Sequence, residues 1–121
     1  MNTALWIAQL LLALFFAAAG YYHGFMPLDA AVKAAPWIAD IPRWLSRVIG
    51  VAELLGAVGV VLPTATGVRP RLASLAALGL ATIMVLAMAF HFSRGESRTI
   101  GMHLTAGAIA LFVAWGRNRR P

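Results

Sequence analysis

The stretch Leu72–Phe92, LASLAALGLATIMVLAMAFHF, contains no Asp, Glu, Lys or Arg. At about 1.5 Å of rise per residue, a helix of this length crosses the roughly 30 Å hydrocarbon core of a bilayer. Three more runs resemble it on either side. One covers residues 3–22 and meets no charge before Asp29. Another covers residues 46–62 and is closed by Pro63, and the last covers residues 99–115. These four segments predict an all-α, integral membrane four-helix bundle, antiparallel, as a single domain over residues 1–121. Composition agrees, because the 121 residues are 61% hydrophobic and only 12% charged. A soluble domain carries about 25% charged residues, and four acids with ten bases cannot cover so much apolar surface.

The chain has no cysteine, which excludes thiolate nucleophiles, iron–sulfur clusters and thiolate zinc sites. A net charge of +6 would suggest nucleic acid in a soluble domain. Here the bases stand singly or in short groups between apolar runs, as loops facing lipid headgroups carry them, so nucleic acid is not an expected partner. Leu10–Phe16 followed by Ala17, Ala18 and Ala19 imitates a signal peptide. No Lys or Arg precedes it, however, and it reads as a span.

The connectors set the topology. Pro63–Pro70 reads as a tight turn and Ser93–Arg98 as a short link, so the last three spans are antiparallel neighbours. The longer segment 24–45 reads as a lid lying on the membrane surface, with a short helix over Asp29–Ala35 broken by Pro36 and Pro42. Arg43, Arg47 and Arg117 are expected to snorkel at the ends of the shorter spans. Small-residue faces at Ala52/Gly56, Ala73/Ala77 and His103/Gly107 with Ala114 supply close packing, and homo-oligomerisation stays open. Trp6 and Trp115 belong to the end that holds both termini, and Tyr21, Tyr22, Trp37 and Trp44 to the other. Arg69, Arg71, Arg117, Arg119 and Arg120 balance Lys33, Arg43, Arg47, Arg94 and Arg98, so the basic residues do not decide orientation. The Arg117–Arg120 cluster favours cytoplasmic termini in a multi-pass cell-membrane protein, through anionic lipid.

In this topology nearly every unusual polar group falls at the end away from the termini. His23 closes the first span, Arg47 opens the second, His91 closes the third and His103 lies one turn inside the fourth. Glu53 is deepest. An isolated carboxylate in hydrocarbon costs several kcal/mol, so it faces inward, pairs, or holds a proton. Arg47 is on another face of its helix, and depth makes His103 the expected partner. The competing reading makes Glu53 protonated interhelical glue on a backbone carbonyl. His91 shares a stripe with Met84 and Met88, but no ligand spacing supports haem or copper, and no metal site is expected. Glu96 and Arg98 read as a solvated surface pair.

Leu12–His23, LALFFAAAGYYH, and Arg47–Pro63, RVIGVAELLGAVGVVLP, resemble the DoxX-like family of small four-span membrane proteins. The Gly-x-x-Glu-Leu-Leu-Gly run of that family is matched by Gly50, Glu53, Leu54, Leu55 and Gly56. His23 stands where the family usually places Lys, exchanging a fixed cation for a titratable one. The resemblance implies a membrane four-helix bundle. Some relatives belong to membrane oxidoreductase systems, including a thiosulfate:quinone oxidoreductase, and eukaryotic relatives assist assembly or transport of membrane proteins. The leading functional expectation is a membrane subunit that binds a quinone or similar amphipathic molecule in support of a redox protein partner. It is at most accessory to catalysis. Glu53 exchanges a proton, His103 and His91 relay it, and Arg47, His23, Tyr21 and Met88 contact the ligand. The alternative is a non-enzymatic chaperone or assembly factor that presents Trp37 and Trp44 from the lid.

Overall fold

The computed structural model describes residues 1–119, so Arg120 of the basic cluster lies outside the described residues. Four helices are long and apolar enough to cross a membrane: α1 (Asn2–Gly24), α3 (Arg43–Gly59) continued by α4 (Leu62–Thr66), α5 (Leu72–Ser93) and α6 (Ile100–Arg119). A short helix, α2 (Leu28–Ala34), and a 3₁₀ turn, Pro36–Asp40, join the first span to the second. No strand occurs among the described residues. The spans form a ring, α1 against α3, α3 against α5, α5 against α6 and α6 back against α1. Leu12, Phe16, Val60, Leu80, Ala110 and Val113 fill its centre. The architecture is the all-α membrane bundle expected from the hydrophobic runs.

Two boundaries differ from expectation for identifiable reasons. The second span does not stop at Pro63. The helix breaks at Val60–Val61 and resumes as α4, with Pro63 in the first turn, where a missing N–H costs least. Pro63–Pro70 is therefore only partly a turn, which closes through Gly67 at φ 73°. The fourth span runs past residue 115 to Arg119, because Gly116 and Arg117 are buried against α1 rather than released to the interface.

The closest approach is between α1 and α3. A Cβ on Gly50 would lie 2.5 Å from Gly24 Cα and 2.6 Å from Gly20 O. A Cβ on Gly20 would meet Leu54 Cγ at 2.7 Å. Backbone therefore packs on backbone at this crossing, as small residues allow in lipid. The small faces noted in the sequence are divided in their use. Ala73 and Ala77 are fully buried and Gly56 packs under Leu80, whereas Ala52 is exposed. The lid is seated on the bundle by buried Ala31 and Ile38, and Arg43 Nη2 donates to Met26 O at 2.7 Å. Arg43 thus turns to a protein carbonyl instead of snorkelling.

Candidate functional site

Glu53 lies on α3 less than one turn beyond Gly50. The glycine crossing brings it against α1, where its Oε1 pairs with His23 Nδ1 in a contact 1% exposed on the acid and 16% on the imidazole. The expected partner was His103. The structure gives His23 instead, because α1 approaches α3 at backbone distance while α6 lies across the ring. The Ser46 hydroxyl donates to the His23 carbonyl, fixing the last turn of α1 against α3. His23 is therefore half-buried and held against the acid rather than turned out to the interface.

Above this pair, Trp37 from the 3₁₀ turn reaches into the bundle end. Its ring centroid lies 5.0 Å from His23, 5.8 Å from Phe90 and 5.7 Å from His91, each an edge-on contact. His91 in turn stacks on His103 at 5.3 Å. The indole thus joins the imidazoles of α1 and α5, and the α6 imidazole joins them through His91. The lid is held from outside by Arg94, whose Nη2 donates to Asp40 Oδ2 at 2.6 Å and whose Nε donates to Glu96 Oε1 at 2.7 Å. Glu96 returns over the helix end because α5 closes at Gly95, whose φ of 72° allows Glu96 N to reach His91 O at 2.8 Å. The carboxylate then accepts from His91 Nδ1 at 3.1 Å. Arg94 first, then His91, holds the Glu96 carboxyl below the usual carboxylate range, and Glu96 followed by Asp40 raises Arg94. Glu96 is therefore bound to Arg94 and His91 and is not the solvated partner of Arg98.

Of the other residues singled out in the sequence, Tyr21 and Arg47 are exposed on the outside of the bundle and Met88 is half-buried beside the cluster. Met84 of the same stripe is core. Among the described residues, no group of three or more His, Asp or Glu is arranged to hold a metal ion. His103 Nδ1 lies 2.8 Å from Thr99 O, and the Thr99 hydroxyl is buried without a hydrogen-bond partner among the described residues. The arrangement can hold and exchange protons between an interior acid and three imidazoles, beneath a lid.

The opposite end carries a second buried polar group that sequence reasoning missed. Gln9, fully buried on α1, donates from Nε2 to Val60 O at 2.5 Å and to Thr64 Oγ1 at 3.0 Å. Its Oε1 accepts from Arg117 Nε at 2.7 Å, and Arg117 Nη1 donates to Asn2 Oδ1 at 2.9 Å. The Arg117 guanidinium also covers the Trp6 ring at 5.6 Å. Only 2% exposed, Arg117 points inward and does not snorkel. Gln9 occupies the carbonyl that the helix break at Val60 sets free, and so ties α1, α3 and α6 together.

No curated protein and no solved structure matches the chain. The model of the DoxX-like family matches residues 7–117, a span that includes both buried polar groups and the whole lid. With four membrane-length apolar helices and this match over nearly its full length, the chain is an integral membrane protein of the DoxX-like family.

Proposed function

We propose that this protein is a membrane subunit that binds a quinone or similar amphipathic molecule at the lid end of the bundle and supports a redox protein partner. One observation carries the reading: a buried Glu53–His23 pair sits in the same cluster as His91 and His103. Intramembrane acids mark functional sites by default, and quinone chemistry moves protons along with electrons. Glu53 with His23 serves as the inner proton store, and His91 with Glu96 leads outward. In the proposed orientation both termini are cytoplasmic in the cell membrane, where exposed Arg69, Arg71 and Arg119 meet anionic lipid.

The test is equilibrium titration of the purified protein with a ubiquinone or menaquinone analogue. Saturable binding that weakens in Glu53→Gln supports the site. No saturable binding, or unchanged binding in the variant, removes it. The assembly-factor reading has one observation in its favour, the exposure of Trp44 and Phe25 on and beside the lid. Trp37 no longer supports it, since its ring is turned inward. Crosslinking from position 44 in native membranes separates the two, because a dominant protein adduct without a redox phenotype favours assembly.

A further inference from the structure

We propose that the turn between α4 and α5 seats one anionic phospholipid, its phosphate on Arg69 and Arg71 and an acyl chain along Leu72 and Leu75. This seat lies at the end opposite the lid and is independent of the quinone-class reading. One lipid held at one place is a narrower expectation than a general attraction of exposed arginines to a charged leaflet.

The distribution of charge calls for an anion here. Asp29, Asp40, Glu53 and Glu96 are the only acids of the chain, and all four belong to the lid end. At that end Arg94 is neutralised by Asp40 and Glu96. The terminal end has no Asp or Glu to do the same for Arg69 and Arg71. Both are exposed, and neither side chain makes a hydrogen bond or ion pair with another described residue. Two such guanidinium groups at headgroup depth suit one phosphate, whose oxygens accept paired N–H bonds from each.

The shape agrees with the charge. Arg69, Pro70, Arg71, Leu72 and Leu75 line one cleft of about 280 Å³. Its lining changes along its length as a phospholipid does. The arginines stand in the turn before the span, Leu72 opens the span, and Leu75 lies one turn further in. Leu72 and Leu75 are 43% and 62% exposed and face outward to lipid, whereas Ala73 and Ala77 take the core face. The backbone is unusual at the same place. Arg69 is the only described residue other than glycine with a positive φ, at 47°. Pro70 favours an extended conformation for the residue before it, so Arg69 is strained where glycine would not be. Such strain collects at ligand sites, and here it sets one arginine beside a cleft that a second arginine also lines.

Native mass spectrometry of the full chain in non-ionic detergent, titrated with dioleoyl phosphatidylglycerol or dioleoyl phosphatidylcholine, tests this directly. Both lipids carry a phosphate, but phosphatidylglycerol lacks the choline cation that opposes two arginines. One phosphatidylglycerol should be retained, about tenfold or more tighter than phosphatidylcholine, with about fivefold from each guanidinium. Arg69→Gln combined with Arg71→Gln should remove that preference. Lys33→Gln combined with Arg98→Gln takes the same charge from the lid end and should change it by no more than about twofold. Arg69→Gly relieves the positive φ and serves if the first pair does not fold, with circular dichroism as the control. It should weaken phosphatidylglycerol about fivefold. No retained lipid, equal retention of the two lipids, or equal losses in the two double variants overturns the seat. Displacement by equimolar inorganic phosphate also overturns it, by showing a plain anion site that needs no acyl chain.

Discussion

The two ends of the bundle both bury polar side chains, but with different chemistry. The lid end uses a carboxyl and three imidazoles, side chains that can both donate and accept protons. The terminal end uses an amide and a guanidinium, whose charges stay fixed near neutral pH. On the proposed function the first cluster handles ligand and protons, whereas the second ties helices together. Gln9 and Arg117 then contribute stability and, in the proposed function, Glu53 and its neighbours the chemistry, a division that substitutions at either end can break.

The largest stability effect is expected at the terminal end. Gln9→Leu takes a hydrogen bond from the Val60 carbonyl and another from Arg117 in a fully buried site. It should cost about 3 kcal/mol. Unfolding in mixed detergent micelles reads that loss, and quinone-analogue affinity of the folded fraction should not change. A comparable affinity loss would show that the two ends are coupled rather than separate.

Next comes the helix crossing that supports the pair. Gly50→Ala places a methyl 2.5 Å from Gly24 Cα and should cost about 1–3 kcal/mol while separating Glu53 from His23. Gly79→Ala meets nothing within 4 Å and should stabilise α5 by up to about 1 kcal/mol. Opposite signs in the same unfolding assay check that contact geometry, not glycine content, sets the outcome.

Glu53→Gln reverses the first pattern. The amide can still hydrogen-bond His23, so stability should fall by no more than about 1 kcal/mol, while analogue affinity falls about tenfold. The smallest effect belongs to the surface latch. Arg94 and His91 hold the Glu96 carboxyl low, so its stabilising contribution is complete above the usual carboxylate range. That contribution is lost as pH falls through the depressed folded value. Melting temperature followed from about pH 6 to about pH 3 should show this acid limb, and Arg94→Gln should flatten it.

Much of the architecture was legible in the sequence because crossing a bilayer requires long uncharged runs, and Leu72–Phe92 meets that requirement unaided. Depth along a helix follows from counting, so Glu53, His91 and His103 could be assigned to one end. The acid's partner could not. It depends on how closely α1 approaches α3, which Gly20, Gly24 and Gly50 decide only together. Gln9 was invisible for another reason: one neutral amide barely changes the hydropathy of an apolar run. Arg117 was misassigned because a terminal arginine can snorkel or turn inward, and the choice rests on Gln9 and Asn2 across the bundle. The orientation of Trp37 was equally hidden, since a lid tryptophan can face lipid or interior, and here the aromatic contacts of His23 and His91 hold it inside.

Photoaffinity labelling with a quinone analogue that carries the reactive group on its ring tests the division of labour most directly. If the proton-exchanging end is the ligand end, adducts concentrate on peptides containing Trp37, His91 and His103, and unlabelled analogue competes them away. Adducts centred on Gln9 and Arg117, or spread evenly over the lipid-facing helices without competition, would contradict it.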